Sequence, residues 1–137
     1  MRMLSLILIG IVAFEHLYFL YLEMFAWTQP RTLRAFGTTA EFAEASKSLA
    51  ANQGLYNGFL AAGLIWSLLP SAAALVMQGN VLRCAFDFEA AFTLQLKIFF
   101  LACVIVAAIY GGVTVKRSIL LIQGLPAALA LATVLLA

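Results

Sequence analysis

The stretch Asn52-Gln-Gly-Leu-Tyr-Asn-Gly-Phe-Leu-Ala-Ala-Gly-Leu64 opens an apolar run that continues to Leu69, and it decides the fold of this chain. At about 100° per residue, one side of such a helix carries amide and hydroxyl groups and the other carries small residues. The polar side holds Asn52, Gln53, Tyr56, Asn57 and Ser67, and the small side holds Gly54, Gly58, Ala61 and Ala62. Amides are costly in hydrocarbon unless they are paired. The stretch therefore predicts a membrane-spanning helix whose polar side faces protein or a wet cavity.

The composition of the whole chain agrees with a membrane protein. Of its 137 residues, 65% are hydrophobic and 10% are charged, and the mean hydropathy is +1.05. Soluble domains carry about 25% charged residues, so we expect a single transmembrane domain over 1–137, with membrane lipid as its surroundings. The net charge of +2 is small and the basic residues are scattered, which gives no indication of a nucleic-acid partner. Cys84 and Cys103 lack metal-site spacing, and we predict no metal site.

Four apolar segments predict four spans, at about 3–27, 49–69, 94–115 and 119–136. Short connections between spans favour an all-α, antiparallel four-helix bundle that crosses the membrane.

The loops carry weaker signals. Pro30 and Gly37 break the first helix, and Thr38-Thr-Ala-Glu41 fits a capping box. This predicts a short amphipathic helix at about 39–48 in the first loop. Gln78-Gly79-Asn80 reads as a turn, and the sequence leaves the structure of 71–92 open.

Lysine and arginine counts give the predicted orientation. Loops one and three hold five basic residues, whereas the N-terminus and loop two hold three: Arg31, Arg34, Lys47, Lys116 and Arg117 against Arg2, Arg83 and Lys97. The positive-inside rule then puts loops one and three in the cytoplasm.

The first span contains ionisable residues that carry the main functional signal. His16 and Glu23 are seven residues apart, so they share a helix face to within about 20°. Ionisable groups at membrane depth usually face the bundle interior and mark function. The competing interpretation is structural, with His16 simply joining two helices. Glu15 points about 100° away from His16 and receives no role.

Polar residues of all four spans concentrate toward one membrane face. We predict that they line one intramembrane pocket: His16, Glu23, Asn52, Gln53, Tyr56, Asn57, Tyr110 and Gln123. The competing explanation is that polar residues near loops cost little at an interface. The small residues Gly54, Gly58, Ala61 and Ala62 predict close helix packing, within one chain or between two copies in a homodimer.

Several segments together resemble a bacterial family of small membrane proteins, catalogued as domain of unknown function 1304. They are His16, Leu22–Trp27, Pro30-Arg31, Phe36-Gly37, Glu41–Glu44, Asn52–Leu64, Cys103–Val106, Tyr110-Gly111, Thr114–Lys116 and Gln123–Pro126. The resemblance implies four spans in a bacterial inner membrane and brings no established activity.

Three functions fit these residues. The first is translocation of a proton, small cation or small polar solute through the pocket. The second is a membrane-embedded enzyme, or a lipid- or quinone-binding protein, in which His16 and Glu23 act as acid and base. The third is a structural or partner-binding bundle held by polar residues. The sequence names no catalytic residue and no cofactor, and it does not separate an enzyme from a transporter.

Overall fold

The fold consists entirely of helices in the part of the chain that the structure describes. The structure, a computed structural model, describes the backbone of residues 2–76 and 83–137 and the side chains of residues 2–69 and 91–137. No strand occurs in these ranges, as predicted for an all-α chain. The helices are α1 (Arg2–Met24), α2 (Pro30–Phe36), α3 (Ala40–Val76), α4 (Arg83–Thr114) and α5 (Leu125–Leu135), with a π-helical turn at Leu120–Gly124 directly before α5. The predicted turn at Gln78–Asn80 lies outside the described residues.

Two helical segments are long and apolar enough to cross a membrane. Among the described residues these are Arg2–Met24 and Ala91–Thr114, and Leu120–Leu135 is a shorter apolar segment. Helix α3 is the longest, with 37 residues, or about 55 Å at 1.5 Å per residue.

Helix α3 joins two segments that the sequence analysis separated. The predicted surface helix at 39–48 and the predicted span at 49–69 form one continuous helix, which runs on to Val76. The physical reason is that neither glycine nor proline occurs between Ala40 and Gln53, so nothing interrupts the helix there.

The loop between α1 and α3 contains a helix that was not predicted. Pro30 begins α2, where its missing N–H costs no hydrogen bond. Gly37 ends α2 in the left-handed region, with φ of 68°, which favours glycine. The predicted capping box was wrong, because Thr39 rather than Thr38 caps α3 by accepting the Phe42 N–H, at 3.2 Å. The third helical position is then Phe42 instead of Glu41, so no reciprocal carboxylate contact is made there.

The long helices pack in a closed cycle. Helix α1 contacts α3 and α5, and α4 contacts the same two helices. The apolar core lies between them and is formed mainly by Ile9, Val12, Leu64, Leu101, Val104, Ala127 and Ala130, all fully buried. The core residues of α1 precede His16 in the chain. The C-terminal half of α1, which carries His16 and Glu23, therefore lies at the other end of the packed helices.

The small residues of α3 pack against α1 of the same chain. A Cβ atom on Gly54 would lie 2.7 Å from Met24 Cγ, 3.1 Å from Glu23 Cβ and 3.2 Å from the Leu20 carbonyl oxygen. One on Gly58 would lie 2.6 Å from Leu20 Cδ1. Ala61 is buried, whereas Ala62 is exposed. Because α1 covers the glycine surface, a homodimer would have to use another face.

Candidate functional site

His16 hydrogen-bonds to its own helix and to the segment before α5. Its side chain is fully buried, and its Nδ1 atom lies 2.8 Å from the Val12 carbonyl oxygen. Its Nε2 atom lies 3.3 Å from Nε2 of Gln123. A carbonyl oxygen can only accept, so Nδ1–H is the donor and the bare Nε2 of the neutral imidazole accepts from the Gln123 amide. The contacts thus assign one tautomer to His16.

The π-helical turn carries Gln123 to this position. Pro126 has no N–H to donate to the Ile122 carbonyl, four residues earlier. The preceding turn instead uses wider spacing, in which the Leu125 N–H donates to the Leu120 carbonyl. Single π-helical turns within helices occur frequently at functional sites. The proline thus accounts for the irregular turn that contains Gln123.

Glu23 and Asn57 form a second polar pair, between α1 and α3. The Asn57 Nδ2–H donates to Glu23 Oε2 at 2.7 Å, and each residue is only 8% exposed. The pair is possible because Gly54, three residues before Asn57, has no side chain to separate the two helices. Because Gly54 allows α3 to approach α1 closely, the neighbouring side chain of Asn57 comes within hydrogen-bond distance of Glu23.

A cavity of about 760 Å³ lies beside the two pairs. Its wall is formed by residues of α1, α2, α3, α4, the π-helical turn and the connection between α4 and that turn. Its charged residues, within the described part of the chain, are Glu23 and Lys116, and most of the other described lining residues are aromatic or aliphatic. The cavity can therefore hold an organic molecule with both apolar and polar parts.

The structure brings together six of the eight residues predicted for the pocket. Those that line the cavity are Glu23, Gln53, Tyr56, Asn57, Tyr110 and Gln123. His16 does not line the cavity but is joined to it through Gln123. Asn52 is exposed and lies outside the lining.

Three aromatic residues of the lining were not predicted from the sequence, in contrast to Tyr56 and Tyr110. Tyr18 and Phe19 flank the buried face of α1, and Phe36 ends α2. The spacing of Tyr18 and Leu22, one turn apart on α1, was an available signal for the first of these. No sequence signal was available for Phe36, because its position depends on how α2 folds back over the helices.

Glu15 remains without a role in this site. Its Oε2 atom is buried and has no hydrogen-bond partner among the described residues. The described residues also contain no group of three or more His, Cys, Asp or Glu side chains placed to hold a metal ion.

Comparison with known proteins gives the family but no activity. The family model described as "Protein of unknown function (DUF1304)" matches residues 10–86 and 72–135. A relative from Lactococcus lactis, the uncharacterized protein YpaA, is 35% identical over 133 residues, which cover 96% of both chains. No solved structure matches the chain.

Proposed function

This chain belongs to the DUF1304 family of proteins of unknown function, and we propose that it is a multi-pass membrane protein that binds a small amphipathic solute in the cavity beside Glu23. The observation that carries the proposal is the cavity itself. Its lining combines a buried carboxylate–amide pair with further amide, phenol and apolar side chains.

The membrane part of the proposal rests on where the apolar side chains lie. Large apolar side chains cover the outside of the helices, with Phe14 72% and Val113 80% exposed. Polar Asn57 and Ser67 are buried instead. A surface of this kind suits hydrocarbon rather than water. We propose that α1, α3, α4 and the segment Leu120–Leu135 each cross a bacterial inner membrane, as a four-helix bundle.

The proposed orientation puts the cavity on the cytoplasmic side. Lys116 lines the cavity, and Arg117 follows it in the connection to the π-helical turn. Arg31 and Arg34 belong to α2, whose last residue also lines the cavity. The positive-inside rule favours the cytoplasm for this end.

Filling the cavity tests the proposal. We expect Ala107→Trp to abolish binding of the neutral fluorescent amphiphile N-phenyl-1-naphthylamine, because Ala107 lines the cavity. Binding is measured on the purified full chain in detergent and corrected for empty micelles. The control is Val106→Trp, on the adjacent residue, which is exposed and lies outside this lining. Equal binding by both variants would contradict the proposal.

Translocation of the solute is a second candidate. Its specific support is that Glu23–Asn57 and His16–Gln123 lie at successive depths along α1, about 10 Å apart at 1.5 Å per residue. The core beyond His16 is apolar, so passage would require the helices to rearrange. Solute flux into proteoliposomes would support this candidate if Glu23→Gln abolishes that flux. Binding of the solute without flux would contradict translocation and support binding only.

A further inference from the structure

The charges that face the cavity differ in how deeply they lie. Glu23 is 8% exposed and contributes the only carboxylate of the lining among the residues whose side chains the structure describes. Lys116 contributes the only cationic side chain in that same part of the chain and is exposed. Water and salt screen an exposed charge far more than a buried one. When Glu23 is ionised, the charge that a bound solute meets inside the cavity is therefore negative.

Glu23 retains capacity to bind a positive group. A carboxylate has about four acceptor positions, and the contact from Asn57 is a single hydrogen bond to Oε2. The ion pair between Lys47 and Glu44 on the surface of α3 does not involve Glu23. Glu23 thus has an amide partner but no counter-charge in the described part of the chain.

The remaining wall is rich in aromatic rings. Five aromatic residues from four different helices line the cavity: Tyr18, Phe19, Phe36, Tyr56 and Tyr110. Ring faces attract cations electrostatically, and they do so most effectively for organic ammonium groups away from bulk water. The rings also supply apolar surface for the body of the same molecule.

We propose that the cavity takes a lipophilic monovalent organic cation, whose charge lies against Glu23 and whose apolar body lies against the aromatic rings. This inference rests on the proposed function and names its ligand class. An anionic solute would meet the buried carboxylate directly. A neutral amphiphile would leave Glu23 without a counter-charge.

Two probes of the same shape and opposite charge test the ligand class. Tetraphenylphosphonium and tetraphenylborate are titrated against the full-length protein in detergent, with empty micelles as the blank. We expect the cation to bind at least about tenfold more tightly than the anion, which corresponds to about 1.4 kcal/mol. Equal affinities, or tighter binding of the anion, would overturn the inference.

Substitutions at the two charges test the assignment of the site. Glu23→Gln keeps the shape of the side chain and is expected to reduce cation affinity about tenfold. The control Glu15→Gln, on the same helix but outside the lining, is expected to leave cation affinity unchanged.

Lys116→Gln removes a like charge and is expected to increase cation affinity. This variant keeps the test available if Glu23→Gln does not fold. Unchanged affinity in both Glu23→Gln and Lys116→Gln would overturn the inference.

Displacement separates this inference from the proposed function. If N-phenyl-1-naphthylamine binds to the protein, is lost in Ala107→Trp, and is displaced by tetraphenylphosphonium, both proposals are supported. If it binds in the same way and is not displaced by the cation, the solute cavity stands and the ligand class is wrong. If neither probe binds, both are wrong.

Discussion

At the scale of single residues, two hydrogen-bonded pairs organise the polar half of the molecule. Glu23 bonds to Asn57 across α1 and α3, and His16 bonds to Gln123 across α1 and the π-helical turn. The sequence predicted that His16 and Glu23 share a face, because helical periodicity fixes that angle. It did not predict their partners, because periodicity within one helix contains no information about its neighbours.

A double-mutant cycle tests the Glu23–Asn57 pair. We expect Glu23→Leu and Asn57→Leu each to destabilise the protein, because each leaves a buried polar partner unpaired. The double variant should lose less than the sum, with a coupling energy of about 0.6 to 1.7 kcal/mol. Thermal unfolding in detergent measures it. The matched control is a second cycle that combines Glu23→Leu with Asn52→Leu, and because Asn52 is exposed the two effects should add. Additive effects of Glu23→Leu and Asn57→Leu would contradict the pairing.

At the scale of helices, the packing of α1 on α3 depends on where glycine occurs. A Cβ atom on Gly54 would meet the Met24 side chain and also two atoms that cannot move aside, Glu23 Cβ and the Leu20 carbonyl oxygen, whereas one on Gly58 would meet only the end of the Leu20 side chain. Gly10 has no atom within 4 Å of the position of a Cβ. Backbone cannot move aside as a side chain can, so these three glycines should differ in their tolerance of alanine.

We expect an order of stability among three alanine variants. Gly54→Ala should destabilise by about 1 to 3 kcal/mol through overpacking, and Gly58→Ala by less, since Leu20 can change rotamer. Gly10→Ala serves as the control and should be neutral or stabilising by up to about 1 kcal/mol. Thermal unfolding in detergent measures all three. Equal losses for Gly54 and Gly10 would contradict the close approach of α1 and α3.

The π-helical turn gives a second prediction at this scale. Pro126→Ala restores an N–H for the Ile122 carbonyl, which favours a regular α-helix. Each residue of shift turns a helix by about 100°, so Gln123 should rotate away from His16. The chain has one histidine, so its ¹⁵N imidazole signals report this contact without overlap. We expect the Nε2 signal to shift.

A matched proline variant controls for general effects of the substitution. Pro30→Ala changes the first residue of α2, where no helical hydrogen bond is missing. We expect its His16 signals to match those of the unchanged protein. An Nε2 signal that does not move in Pro126→Ala would contradict the role assigned to the turn.

At the scale of the whole molecule, four of the basic residues that the structure describes lie on or beside the segments that line the cavity: Arg31, Arg34, Lys116 and Arg117. This distribution gives the proposed orientation, with the connection around Arg117 in the cytoplasm. We expect a cysteine at Arg117→Cys, in a chain with Cys84→Ser and Cys103→Ser, to resist an impermeant maleimide in intact cells and to react after lysis. Arg2→Cys in the same background should react in intact cells. The reverse pattern would contradict the orientation.

The sequence by itself determined the all-helical class, the family, and the concentration of polar side chains toward one end of the chain's helices. The all-helical class and the concentration of polar side chains follow from hydropathy and from the angle and rise per residue. The family follows instead from the resemblance of specific segments, among them Asn52–Leu64. The tertiary structure alone decided that Asn57 pairs with Glu23 while Asn52 is exposed, that Gln123 reaches His16, and that Phe36 joins the cavity wall. The physical reason is that a residue's depth and angle are properties of its own helix, whereas its partner depends on how closely two helices approach. That approach is set by Gly54 against α1 and by the π-helical turn before Pro126.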